Sequence, residues 1–89
     1  GEKVYPQEVE SVILEMNNVI EVTVYSEKNP ILGNIVCAKV RLRVNEEIKK
    51  FTFRLKQYCS EKLQKFKIPI KVYVVKEKQY GDRYKKQRK

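Results

Sequence analysis

The sequence predicts an α+β domain: a small two-layer fold with about three strands in one sheet, two helices on one face of it and a basic C-terminal tail. Three observations lead there. Apolar residues recur at helical spacing in two segments and at every second position in three others. These segments run helix, strand, strand, helix, strand, an order in which helices cover one face of a small sheet. The 89 residues suit one domain and leave no room for two, and a domain of that length can bury somewhat over ~60% of its unfolded surface, enough for a modest core.

The first helix is expected from Pro6 to Met16. Pro6 suits a first turn, where a missing N–H costs nothing, and Glu8 and Glu10 favour the positive helix end. Val9, Val12, Ile13 and Met16 form its apolar stripe. Asn17-Asn18 is a stop, because Asn tolerates left-handed backbone. From Val19 to Glu27 the period falls to two, with Ile20, Val22 and Val24 on one side and Glu21, Thr23 and Tyr25 on the other. Lys28-Asn29-Pro30 and Gly33-Asn34 bracket a loop.

Ile35 to Val44 reads as a second strand, paired with the first as a hairpin. Val36, Ala38, Val40 and Leu42 should face the core, and Cys37, Lys39, Arg41 and Arg43 the water. Asn45 is expected to cap a second helix, with Glu46 and Glu47 in its first turn. Ile48, Phe51, Leu55, Cys59 and Leu63 mark its stripe, opposite Lys49, Lys50, Lys56 and Gln57. Phe66-Lys67-Ile68-Pro69 breaks that helix near Leu63. Val72 and Val74, with Ile70 at the margin, mark a third strand that returns to an edge of the sheet.

Composition narrows the chemistry. No histidine is present, which argues against a zinc site or a His-based triad. Cys37 and Cys59 lie inside apolar periodic segments without Cys-x-x-Cys spacing, so they read as buried free thiols suited to a reducing cytoplasm. No stretch approaches the ~20 apolar residues of a membrane span. No positive segment followed by an apolar run opens the chain, so no secretory signal is expected, although a chain starting at Gly reads as a piece of a longer one. No Gly-rich phosphate loop occurs. Glu8 and Glu10 are two apart, so on a helix they diverge and read as capping or surface charges. The net charge is +9, and the segment from Lys76 to Lys89 holds seven basic residues against Glu77 and Asp82. Such a tail attracts polyanions, including nucleotides. What remains for catalysis is lysine and arginine acting on phosphate.

The opening, Gly1-Glu2-Lys3-Val4-Tyr5-Pro6-Gln7-Glu8-Val9-Glu10, resembles the Gly-x-Lys-Val-x-Pro-x-Glu-Val-Glu motif that starts the small C-terminal domain of adenylate-forming enzymes, such as acyl- and aryl-CoA synthetases, peptide-synthetase adenylation domains and luciferases. Gly33 after its loop is similar to that family's Lys-Gly-Glu segment between two strands. Gln57-Tyr58-Cys59-Ser60-Glu61-Lys62-Leu63 is similar to its His-Cys-x-x-x-Leu helix end, and Phe66-Lys67-Ile68-Pro69 to its Tyr-Lys-Val-Pro. The four landmarks fall in the family's order and spacing.

The resemblance implies that residues 1–89 are the mobile C-terminal domain of an AMP-forming acyl-CoA synthetase, a fatty-acid or other carboxylate–CoA ligase of the cytoplasm. The large N-terminal domain would bind ATP and Mg and be the partner of this one. CoA or a carrier phosphopantetheine would accept the acyl group, and the isolated domain would be inactive. The family's lysine segment, Val-x-x-Leu-Pro-x-Thr-x-x-Gly-Lys-x-x-Arg, is degenerate here. With its Val on Val75, the lysine falls without a gap on Lys85 and the arginine on Arg88, while Lys78, Gln79 and Tyr84 replace the Leu, Pro and Gly. A register placing the glycine on Gly81 puts Asp82 where the lysine belongs. Lys85 is therefore the candidate catalytic residue, with Lys86 the alternative, and Arg83 and Arg88 are candidates for phosphate contact. After domain rotation, Gly1 and Lys3 would face the thiol. Two rival readings are a small basic RNA-binding module and a catalytically degenerate structural domain of the same family. Against nucleic acid as a partner stand the missing Gly-x-x-Gly clamp and the placing of Tyr25 and Tyr73 singly in their strands.

Overall fold

The structure is a computed structural model that describes residues 3–76. Its elements are α1 (Pro6–Leu14), β1 (Val19–Asn29), β2 (Gly33–Leu42), α2 (Ile48–Lys62), a 3₁₀ turn (Lys65–Lys67) and β3 (Lys71–Val75). The sheet order is β1-β2-β3, with β2 antiparallel to β1 and parallel to β3. The hairpin and the edge position of the third strand are as the sequence predicts. The parallel pairing follows from α2, which carries the chain back to the end where β2 began.

One face of the sheet carries the core. Val22 and Val24 of β1 and Ala38 and Val40 of β2 meet Val9 and Ile13 of α1 and Phe51, Leu55 and Cys59 of α2 in one cluster. Both helices therefore lie on the same face. At 9 residues, α1 is too short to persist alone, since isolated helices under ~12–15 residues are marginal in water. Packing holds it, and so does one polar contact. The Glu10 carboxylate, only 9% exposed, accepts the Val24 N–H at 2.8 Å. Because β1 is an edge strand, that donor would otherwise be buried without a partner.

Asn18 fixes the next junction. Its φ of 78° turns the chain from α1 into β1. Its side chain accepts the Val44 N–H at 2.8 Å and donates to the Val44 carbonyl at 2.7 Å and to Glu46 Oε2 at 2.6 Å. Arg54 Nη1 donates to Glu46 Oε1 at 2.6 Å. These bonds from Arg54 and Asn18 hold the Glu46 carboxyl below its ordinary range.

Several element boundaries differ from the sequence reading. α1 stops at Leu14, not Met16, because Glu15 and Met16 bond three residues back in a tighter final turn. β1 runs on to Asn29, and β2 covers Gly33–Leu42 rather than Ile35–Val44. Asn45 does not cap α2. The position before the helix is Glu47, with no side-chain cap, and Glu46 is drawn away to Asn18 and Arg54. Ile48 is exposed and does not continue the stripe. The outer face of the sheet is not simply a wet face either, since Ile35 and Cys37 are buried there between neighbours such as Tyr25 and Lys71. Glu10, read from the sequence as a capping or surface charge, is buried for the reason given above.

These contacts set three stability expectations. Glu10→Ala should cost about 1–3 kcal/mol, the usual consequence of orphaning a buried donor. Glu10→Gln keeps a carbonyl acceptor and should cost less; thermal unfolding compares the two. Asn18→Ala should destabilise more than Asn18→Gly, because both lose the bonds to Val44 but only alanine is also strained at positive φ. The Glu46 contribution is present above the ordinary carboxylate pKa and should fade as pH falls through the lowered value, read as a falling unfolding midpoint in acid.

Candidate functional site

Pro6 starts α1, and the three described residues before it form an extended strip along one end of the domain. The strip borders an open groove of about 430 Å³, whose walls include Val4, Ile35, Phe66, Ile68 and Ile70, with Ser26, Asn34 and Lys65 among its polar members. Polar and apolar atoms contribute about equally to its surface. The groove lies at the hairpin end of the sheet, since Ser26 and Asn34 are the strand residues nearest the turn that line it.

Two sequence landmarks that lie 59 residues apart meet beside this groove. Lys67 Nζ donates to Glu8 Oε1 at 3.0 Å and to Oε2 at 3.2 Å. The lysine is mostly buried, so its pair with Glu8 is better shielded than an exposed one. Pro69, two residues on, is fully buried, and the Ile70 N–H bonds to the Val36 carbonyl at 2.8 Å. The opening motif and Phe66-Lys67-Ile68-Pro69 thus form one structural unit around the strip. The sequence reading placed Glu8 only as a helix-end charge and missed this pairing. No local signal marks it, because the two residues lie 59 apart in sequence.

At the hairpin turn, Asn29 Oδ1 accepts the N–H groups of Ile31 and Leu32, both at 2.9 Å. Gly33 has φ +84°, and a Cβ there would meet nothing within 4 Å, so the backbone angle and not close packing calls for glycine.

No described residue presents a poised acid, base or nucleophile. Burial pushes the Cys59 thiol up to about 11. Burial, with Glu27 beside it, also pushes the Cys37 thiol up. Both are free thiols inside the protein, as expected, and neither is a thiolate at neutral pH. Burial, with Cys37, Glu27 and Tyr73 nearby, pushes the Tyr25 hydroxyl up to about 12. Among the described residues no cluster of His, Cys, Asp or Glu could hold a metal ion. No described helix is long and apolar enough to cross a membrane.

Of the candidates named from the sequence, Lys3 lies exposed in the strip. Gly1, Arg83, Lys85, Lys86 and Arg88 lie outside the described residues. Val75, the anchor of the lysine register, ends β3 opposite Arg41 of β2, at the end of the sheet away from the hairpin turn. β3 therefore ends at the end of the sheet opposite to the strip.

Comparison with known proteins matches this architecture. Residues 8–80 match the family model described as the AMP-binding enzyme C-terminal domain. The chain is 38% identical over 77 residues to a 2-succinylbenzoate–CoA ligase of Geobacillus kaustophilus, covering 86% of this chain and 15% of that one. It is 34% identical to a 3,4-dihydroxybenzoate–[aryl-carrier protein] ligase of Bacillus anthracis, with coverage of 86% and 17%. Among solved structures, it superposes on a fatty acyl CoA synthetase of Mycobacterium tuberculosis with a TM-score of 0.76 at 32% identity, covering 92% of this chain and 16% of that one. The chain spans about a sixth of the length of the relatives it matches. With its opening motif joined to Phe66-Lys67-Ile68-Pro69 by an ion pair and its sheet and helices superposed on such enzymes, the chain belongs to the family of AMP-binding enzyme C-terminal domains.

Proposed function

We propose that this chain is the mobile small domain of an ATP-dependent, AMP-forming ligase that activates a carboxylate and passes it to a thiol. The observation that carries this reading is the family match over residues 8–80. The relatives named above act on two aromatic acids and, in one case, a fatty acyl group, so the substrate is proposed as a carboxylic acid, with a fatty acid one member of that class. CoA is the proposed acceptor and a carrier phosphopantetheine the second choice, after the same relatives. ATP with Mg would be held by the large N-terminal domain. A cytoplasmic setting fits the two free thiols.

In adenylation, a carboxylate approaches the α-phosphate of ATP while pyrophosphate leaves. Two anions must come together, and negative charge gathers around phosphorus and the attacking oxygen. A lysine ammonium supplies a compact positive charge between them. Lys85 is proposed for that role, with Lys86 as the alternative, and Arg83 and Arg88 would pair with phosphate oxygens. In thioester formation the other end of the domain would face the reacting carbonyl. There Gly1 would allow the backbone to approach the pantetheine arm closely, Lys3 would meet its phosphates, and the groove beside Val4 would offer an apolar wall.

The test separates the half-reactions in the full-length protein. Lys85→Ala should depress carboxylate-dependent ATP–pyrophosphate exchange by ~10²–10³-fold, the usual loss on removing one aimed donor, and spare thioester formation from supplied acyl-adenylate. Equal loss in both, or none, removes Lys85 from the role. A bulky replacement, Gly1→Trp, should show the reverse pattern, with exchange retained and thioester formation impaired.

A further inference from the structure

We propose that the hairpin turn, through Ile31 and Leu32, docks this domain onto the upstream large domain in the thioester-forming orientation and disengages in the adenylating one. The proposal rests on the ligase reading above and adds a specific contact to it.

Ile31 is 89% exposed and Leu32 62%. Two large aliphatic side chains at the tip of a hairpin leave apolar surface in water that docking would remove. The turn is also held in one shape. Asn29 ties down both backbone N–H groups, and Gly33 supplies the positive φ that returns the chain to β2. A contact presented on a fixed turn loses little conformational freedom when it docks.

Position in the fold names the occupant and the state. Val4 of the N-terminal strip shares the groove with Ser26 and Asn34 of the hairpin, so the chain arrives from upstream at the hairpin end. Two further exposed apolar residues, Tyr5 and Ile70, belong to segments at that same end. The curated relatives are about six times longer than this chain, which leaves a body of several hundred residues to meet that end. β3 runs parallel to β2 and finishes opposite Arg41, eight residues along β2 from Gly33, or roughly 26 Å at ~3.3 Å per residue. A partner seated on the hairpin turn therefore also meets the strip, which borders the same groove. The turn belongs to the orientation that presents the strip.

The experiment uses the full-length enzyme with Ile31→Ser and Leu32→Ser combined. Both positions are exposed, so the unfolding temperature should hold. Thioester formation from supplied acyl-adenylate should fall roughly tenfold, as expected for two aliphatic contacts of partial burial, through kcat more than through the KM for CoA. Pyrophosphate exchange should be retained. Backbone hydrogen exchange at residues 30–34 of the unsubstituted enzyme should be slower with a CoA-thioester product bound than with ATP bound. Equal slowing of both half-reactions, a change confined to the KM for CoA, or identical hydrogen exchange in the two states would overturn the proposal. So would a concentration-dependent dimer that the double variant abolishes, which would make a second copy the occupant. If the full chain performs neither half-reaction, the ligase reading falls and the docking proposal with it. If both proceed and the double variant changes neither, only the docking proposal falls.

Discussion

The anchoring of α1 to the sheet is the constraint on which the rest of this domain depends. The helix is short and its apolar stripe is narrow, so two acidic side chains set its position. Glu10 reaches inward to the Val24 N–H on an edge strand, and Glu8 reaches sideways to Lys67 beyond α2. One bond fixes the helix against β1. The other ties its first turn to the segment that leads into β3. The strip before Pro6 inherits its direction from both. A carboxylate is suited to the buried role because it accepts only, as an unpaired backbone N–H requires, and a charge-assisted bond is about twice as strong as a neutral one.

Much of this was legible in the sequence, and the parts that were not share a physical cause. Element order, the hairpin, the stripe of α2 from Phe51 onward and the burial of Cys59 followed from periodicity, because a buried face imposes its period on the residues that fill it. Boundaries failed where a side chain acted at long range. Asn45-Glu46-Glu47 has the local chemistry of a helix start, yet Glu46 is recruited by Asn18 and Arg54, and the helix begins later. Alternation in β2 sent Cys37 outward correctly but could not show that the outer face is covered at that point. The Glu8–Lys67 pair spans 59 residues and leaves no local trace. For the site, the resemblance supplied the roles, and the lysine segment was placed only by counting from Val75.

The charge pattern connects fold to function. Glu8, Glu15, Glu21, Glu27, Glu46 and Glu47 each have a basic partner among the described residues. Acidic groups are thus largely used in tying elements together. The surplus positive charge is left on residues such as Lys3, Lys28, Lys49, Lys56 and Lys65, and in the segment after Val75. Most of these exposed pairs add little to stability, so the asymmetry matters more for what approaches. A field of this sign raises the local concentration of phosphate-bearing ligands and quickens their arrival, within the ~8–10 Å reach that salt permits.

A domain that must work in two orientations cannot be held tightly in either. Reversing a two-state balance from 1:99 to 99:1 takes about 5.5 kcal/mol of differential binding. A large apolar interface would exceed that and trap one state. Two aliphatic side chains on a fixed turn, partly buried on docking, are worth about 1–2 kcal/mol at ~25 cal/mol per Å². That is enough to favour an orientation once the acyl-adenylate has formed and small enough to be released afterwards. The same argument explains why the domain's own interior is tied so firmly. If α1 could slide on the sheet, the proposed rotation would be absorbed within the domain instead of carrying the hairpin turn with it. The Glu10 and Glu8 anchors and the Asn18 junction tie α1 to the sheet and to the segment before β3, so that these elements hold one arrangement.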